Sequence, residues 1–279
     1  MRRHPLAEAV RTRHLFSIMS TASPGHRPQF SHTTVFFRNR PQLEEWAGTL
    51  LPRVWPEGAA GLEALVCGGS TGCEAYSFLA ALREFGPGGT AALRARVLSI
   101  DVAETVTAQG RAGRFPEEAF RPLHGMEGGM PEDVRARWFT AEEGGRFWRP
   151  QPELGVAEFQ TLDLLAAPLA WEFDLLVCQN VLTHLTPPVA ATLLARLLDR
   201  AKARAVFVCS GVDLDLKARI AAAGFRPWTG RLEEIHEAFA THRMHYRLNR
   251  GQHYFELEDI DRARPDWEAR YSTLFYRCP

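Results

Sequence analysis

From residue 62 onward the chain alternates short, nearly unbroken apolar runs with longer segments whose apolar residues recur every three or four positions. LEALVCGG (62–69) reads as a strand buried on both faces, since a half-exposed strand would alternate apolar with polar residues. EAYSFLAALREF (74–85) puts Tyr76, Leu79, Ala80, Leu82 and Phe85 at helical spacing, with Gly86 placed to end it. ARVLSID (95–101), VAEFQTLDL (156–164) and EFDLLVCQNV (172–181) read as strands two to four. PPVAATLLARLLDRAK (187–202) is a helix opened by prolines, where a missing N–H costs little, and RAVFVCSG (204–211) is a fifth strand. Strands alternating with helices predict right-handed crossovers and a doubly wound, mostly parallel α/β sheet covered on both faces.

Two stretches break the rhythm. Residues 110–155, rich in Gly, Pro, Arg and Glu, carry one predicted helix, PEDVRARWFTAEE (131–143), and read as an insertion or cap over the sheet. Residues 225–279 form a C-terminal extension ending in YSTLFYR (271–277), expected to return as an antiparallel edge strand. Residues 1–30 are expected to be an N-terminal tail, leaving 31–279 as the folded domain.

Composition narrows the partners. The 279 residues carry 33 Lys+Arg against 33 Asp+Glu, and 46% are hydrophobic, which excludes collagen, coiled coil and bulk disorder. Zero net charge argues against nucleic acid, whose binding needs clustered cations to neutralise phosphates. The N-terminus lacks the apolar stretch of a secretory signal, and the charge-free run 175–195 holds Gln179, Asn180, His184 and two prolines, so neither export nor membrane insertion is expected. The five cysteines include no CxxC pair and read as buried thiols in a cytoplasmic protein. His236, His242, His245 and His253 lack a recognisable metal spacing and are expected on a solvated or substrate-lining face, without a metal. Trp228, Phe239, Tyr246, Tyr254 and Phe255 are expected to pack the extension onto the sheet or to line a substrate pocket.

In an open parallel sheet, ligands bind beyond the carboxyl ends of the strands where strand order reverses. Three turns there carry chemistry. In CGGSTGCE (67–74), Gly68, Gly69 and Gly72 either admit a ligand close to the backbone ahead of a helix N-terminus or simply make a tight turn. Asp101, ending strand two, can accept both hydroxyls of a ribose, and Gln179 and Asn180 are polar groups at the end of an apolar strand. GGSTG departs from the GxGxxG fingerprint and lacks the GK[ST] of a P-loop, so a nucleoside without a pyrophosphate fits better; S-adenosylmethionine is the common one.

HTTVFFRNRPQLEEW (32–46), CGGSTGCEAYS (67–77), LSID (98–101), WRPQPEL (148–154) with LDLL (162–165), and FDLLVCQNVLTHL (173–185) occur in the order found in the CheR-type glutamate O-methyltransferases of chemotaxis receptors. The sequence resembles this family of class I, Rossmann-like S-adenosylmethionine-dependent methyltransferases over roughly residues 31–211. The resemblance implies that Thr34 and Arg38 lie at the mouth of the active site, with His32 near the cofactor. It gives Glu74 the methionine end, Asp101 the ribose, Asp163 and Leu164 the adenine, and Gln179 and Asn180 the floor. Asp163 can equally cap a following helix. Cys73 stands where the family has Glu, Ala75 where it has Pro, Gln179 where it has Arg, and His184 where it has Tyr. About 30 residues precede the HTTVFFR segment, fewer than the helical N-terminal domain of receptor-modifying members.

Three activities remain. A carboxylate acceptor, a protein glutamate or a small acid, is already ionised at neutral pH and needs positioning, for which Arg38 is suited by bidentate pairing. A hydroxyl or amine acceptor needs its proton removed, for which His184 is the candidate base. A non-catalytic module would bind the cofactor as a signal; Cys73 and Gln179 motivate that reading. The competing roles are a surface ion pair with Glu44 or Glu45 for Arg38, and a loop-structuring residue ahead of Pro187 for His184.

Overall fold

The computed structural model describes residues 34–58, 61–87, 95–122, 129–239 and 258–279. An opening helical run, α1 (Arg40–Glu45), passes through a π-helical turn into α2 (Leu51–Val54). The parallel strands are β1 (Leu62–Cys67), β2 (Ala95–Asp101), β6 (Val156–Thr161), β7 (Phe173–Gln179) and β8 (Ala201–Ser210). The helices α3 (Cys73–Phe85), α4 (Glu104–Ala112), α6 (Pro187–Leu198) and α7 (Leu214–Ala222) connect or follow them. β9 (Arg226–Trp228), α8 (described at 232–239), α9 (Trp267–Tyr271) and β10 (Leu274–Arg277) complete the chain. The sheet order is β6-β2-β1-β7-β8-β10-β9, with β10 antiparallel to both neighbours. This is the expected doubly wound, mostly parallel sheet. After β1 the chain builds outward through β2 and β6, then returns to lay β7 on the other side of β1, so strand order reverses between β1 and β7.

Alternation along the central strands divides the core in two. Ala64, Val66, Val97, Leu175, Val177, Val206 and Val208 face α3 and the 36–54 segment. Leu65, Cys67, Leu98, Ile100, Leu176, Cys178, Phe207 and Cys209 face α6 and α7. Covering both faces explains why β1 and β7 read as nearly unbroken apolar runs. Four cysteines are buried and free, and Cys278 is exposed.

Several boundaries differ from expectation. The third strand ends at Thr161, which leaves Asp163 and Leu164 in the following turn. α6 stops at Leu198, and a turn at Asp199 and Arg200 lets β8 begin at Ala201. The 131–143 helix spans only Glu132–Trp138 (α5); Phe139–Glu142 is instead β4 of a second, antiparallel sheet, β3-β5-β4, with β3 at Phe115–Pro116 and β5 at Phe147–Pro150. The returning C-terminal strand is antiparallel but internal: β10 pairs with β8 on one side and β9 on the other, and β9 is the edge. Trp228 packs the extension onto the body, donating its indole N–H to Glu45 at 2.7 Å and meeting Tyr276 edge-on.

His236 corrects the expected solvated face. It is buried on α8, edge-on to Tyr271 of α9 at 5.8 Å. His242, His245, His253, Tyr246, Tyr254 and Phe255 lie outside the described residues. Among the described residues, no helix is long and apolar enough to cross a membrane.

Candidate active site

The reversal between β1 and β7 opens a crevice at their carboxyl ends, where the turn 68–72 and residues 179–184 meet. The turn needs left-handed backbone at Gly68 (φ 69°) and Gly72 (φ 96°), and Gly72 precedes the first turn of α3. The missing side chains are also a packing requirement. A Cβ on Gly68 would stand 2.4 Å from Val181, one on Gly69 1.9 Å from Ser99 Oγ, and one on Gly72 2.6 Å from Phe159. Three of the five described non-glycine residues with left-handed backbone also lie around this crevice: Phe37, Ser70 and Asn180. Each costs about 1 kcal/mol or more, the kind of strain retained where backbone must be aimed.

Glu74, in the first turn of α3, is partly buried and accepts the Gln179 amide N–H at 2.8 Å from the end of β7. Gln179 Oε1 in turn accepts the Ser210 hydroxyl at 3.3 Å from the end of β8. Burial pushes the Glu74 carboxyl up to about 7, against the lowering effects of the Arg38 charge and the Gln179 hydrogen bond. The crevice therefore holds a carboxyl poised between neutral and charged, which a cationic ligand group would ionise.

Arg38 acts on this carboxyl through its charge, and the residues preceding it are pinned. Phe36 donates its backbone N–H to the Ala119 carbonyl and packs among Phe115, Phe120 and Phe139. Phe37 donates its N–H to Ser77 Oγ at 2.9 Å, and that hydroxyl donates to the Cys73 carbonyl within α3. Asn39 then caps α1 through Gln42 N. The expected competitors for Arg38 are engaged elsewhere: Glu44 pairs with Arg40 and Arg231, and Glu45 takes the Trp228 indole. Thr34 and Thr71 lie against Cys73, whose burial pushes its thiol up to about 12 and keeps it neutral.

Asp101 is buried at the end of β2, accepting N–H groups from Ser70 at 3.1 Å and Ala103 at 3.0 Å. It thus fastens the first turn to the second. Asp163 is exposed and accepts the Leu165 N–H at 2.9 Å, so it closes a turn where a helix cap was the alternative, and Leu164 beside it is buried. Asn180 donates its backbone N–H to the Ser210 carbonyl at 3.0 Å. His184 ends a short 3-10 turn four residues beyond Asn180. His32 lies outside the described residues.

The structure thus brings Arg38, Glu74 and Gln179 together, with the Gly68–Gly72 turn beside them and Asp101 tied to that turn through Ser70. Ser210 was not singled out in the sequence, although it carries the same signal as Gln179, a polar residue at the exit of an apolar strand. The donor set fits S-adenosylmethionine: a carboxyl in apolar surroundings for an ammonium, and a second carboxylate at the end of β2 for a ribose.

The chemotaxis protein methyltransferase 1 of Pseudomonas aeruginosa is 26% identical over 172 residues, which is 60% of this chain and 60% of that protein. The matched region therefore spans less than two thirds of that relative. Among solved structures, magnesium protoporphyrin IX methyltransferase from Synechocystis PCC 6803 with bound SAM is 17% identical, with 68% of this chain and 72% of that one covered at a TM-score of 0.38. An N-methyltransferase, NodS, from Bradyrhizobium japonicum WM9 in complex with S-adenosyl-l-homocysteine is 14% identical, with 70% and 72% covered at a TM-score of 0.33. Residues 32–213, more than half of the chain, match the family model "CheR methyltransferase, SAM binding domain", and the chain belongs to the CheR methyltransferase family.

Proposed function

We propose that this protein is a cytoplasmic S-adenosylmethionine-dependent O-methyltransferase that acts on a carboxylate, either a protein glutamate or a small carboxylic acid. The observation that carries the reading is that the Arg38 charge acts on the Glu74 carboxyl, from a segment that Phe36 and Phe37 pin.

When bound, S-adenosylmethionine supplies an electrophilic methyl group on a sulfonium. Glu74, steadied by Gln179, holds the ammonium of its methionine end, and Asp101 holds the ribose. Asp163 and Leu164 flank the adenine, while Gln179 and Asn180 form the floor. Thr34 and Arg38 serve the mouth of the site. Arg38 pairs with the acceptor carboxylate and fixes its oxygen for in-line attack, where orientation supplies most of the acceleration. No general base is needed, because an acceptor carboxylate is ionised at neutral pH.

The test is methyl transfer from labelled cofactor to glutamate-containing peptides and to small carboxylic acids. A base-labile methyl ester, lost in Arg38→Ala with S-adenosylhomocysteine affinity retained, is expected. Activity that survives Arg38→Ala but disappears in His184→Ala would replace this reading with a hydroxyl or amine acceptor and His184 as base. Normal binding without turnover on any acceptor would leave a cofactor-sensing module.

A further inference from the structure

Ser210 is the last residue of β8, fully enclosed at 1% exposure, and stands in register with Gln179 on the neighbouring parallel strand. Its neighbour Cys209 points to the opposite face, into the α6/α7 core, so Ser210 is directed to the α3 side, where Glu74 lies. It makes two separate contacts with the floor. Its carbonyl accepts the Asn180 N–H, and its hydroxyl donates to Gln179 Oε1. A carbonyl oxygen can only accept, so this hydroxyl engages the acceptor end of the carboxamide and leaves the amide N–H directed at Glu74.

We propose that Ser210 is a positioning residue for cofactor binding: through its hydroxyl it holds the Gln179 carboxamide so that the amide donates to Glu74, and so keeps that carboxylate aimed at a cationic amino-acid end. This rests on the reading of Glu74 given under Proposed function. The relay Ser210–Gln179–Glu74 crosses three elements, β8, β7 and α3, so the affinity of the crevice depends on a side chain that does not itself face the ligand. The arrangement also accounts for Gln179. An arginine there would bring its own charge to Glu74, whereas glutamine offers one neutral donor that must be held in orientation.

Replacing Ser210 by alanine removes the hydroxyl contact and spares the backbone contact to Asn180. The experiment measures S-adenosylhomocysteine affinity by calorimetry and, in the unliganded protein, the titration of the Glu74 side-chain carboxyl by carbon-13 NMR. Among the described residues, Arg38, Cys73 and Cys178 are the charged or titratable groups acting with Glu74. Burial holds the Cys73 thiol neutral, the hydrogen bond with Cys67 together with burial does so for Cys178, and the guanidinium is permanently charged, so between pH 5 and 9 the carboxyl is the group of this set that titrates.

In Ser210→Ala, affinity should fall about tenfold, as for loss of one hydrogen bond to a charged group. The Glu74 midpoint should rise, because a donor that favours the charged form is no longer held. Ser210→Thr, which keeps the hydroxyl, should restore both. Ser210→Cys, nearly isosteric but a weak donor, should behave like alanine and serves if alanine impairs folding. Unchanged affinity with an unmoved midpoint overturns the proposal; so does an affinity loss with no midpoint shift and no rescue by threonine, the pattern of a purely structural residue. If the wild-type protein binds no S-adenosylhomocysteine, the function reading fails, while the relay is still decided by the Glu74 midpoint.

Discussion

Replacing Glu74 by glutamine should stabilise the unliganded protein at neutral pH and barely affect it in acid. The side chain keeps its shape and loses its charge. In the folded protein its carboxyl titrates at about 7 against an ordinary 4.5, because burial disfavours the charge more than Arg38 and Gln179 favour it. Below pH 4.5 the group is protonated in both folded and unfolded chains and no penalty arises. Between 4.5 and 7 the unfolded chain has released a proton that the folded chain keeps, so stability falls as pH rises; above 7 the loss is complete. The rise from 4.5 to about 7 corresponds to about 3 kcal/mol. Urea denaturation of wild type and Glu74→Gln should therefore show the variant gaining about 1 kcal/mol at pH 5 and about 3 kcal/mol at pH 8. All other titrating groups are common to both proteins and cancel to first order. A difference that stays constant with pH, or a wild type that gains on the variant between pH 5 and 8, would refute the reasoning. The stored cost also has a use, since a ligand ammonium relieves it on arrival.

Further outcomes follow from other contacts. Gly69→Ala should destabilise the fold by about 2 kcal/mol or more, since its Cβ would overlap Ser99 Oγ, and adding Ser99→Gly should recover part of the loss in a thermal melt. Asp101→Ala releases the Ser70 and Ala103 N–H groups and should abolish S-adenosylhomocysteine binding by calorimetry, whereas Asp163→Ala, which frees only a solvent-exposed turn, should weaken it less. Phe36→Ala, at a ring contacting Phe115, Phe120 and Phe139, should cost about 3–5 kcal/mol in denaturant and loosen the Arg38 segment. A chromogenic disulfide reagent should titrate one thiol rapidly, Cys278, and the other four only on denaturation.

The sheet was legible because its central strands are covered on both faces, which leaves apolar runs at 64–67 and 175–178 and a polar residue where β2 and β7 emerge. Asp101, Gln179 and Asn180 stood out for that reason, whereas Glu74, in the first turn of α3, was singled out through the family resemblance. The second sheet did not, because strands of two to four residues are too short to show a period. The inward place of β10 was equally hidden, since local pattern reveals a strand but not its neighbours. Arg38 could be placed only through the family resemblance: its position depends on Phe36 and Phe37 contacts with residues 40 to 100 positions away, which no local spacing encodes.

The inward position of β10 imposes an order of assembly. β9 has no place in the sheet until β10 arrives, because β10 is the strand that joins it to β8. The parallel block β6-β2-β1-β7-β8, complete at Ser210, can pair as soon as it is synthesised, whereas residues 226–228 must wait for 274–277. Until β10 pairs, β8 is an open edge of the kind that can pair with another chain.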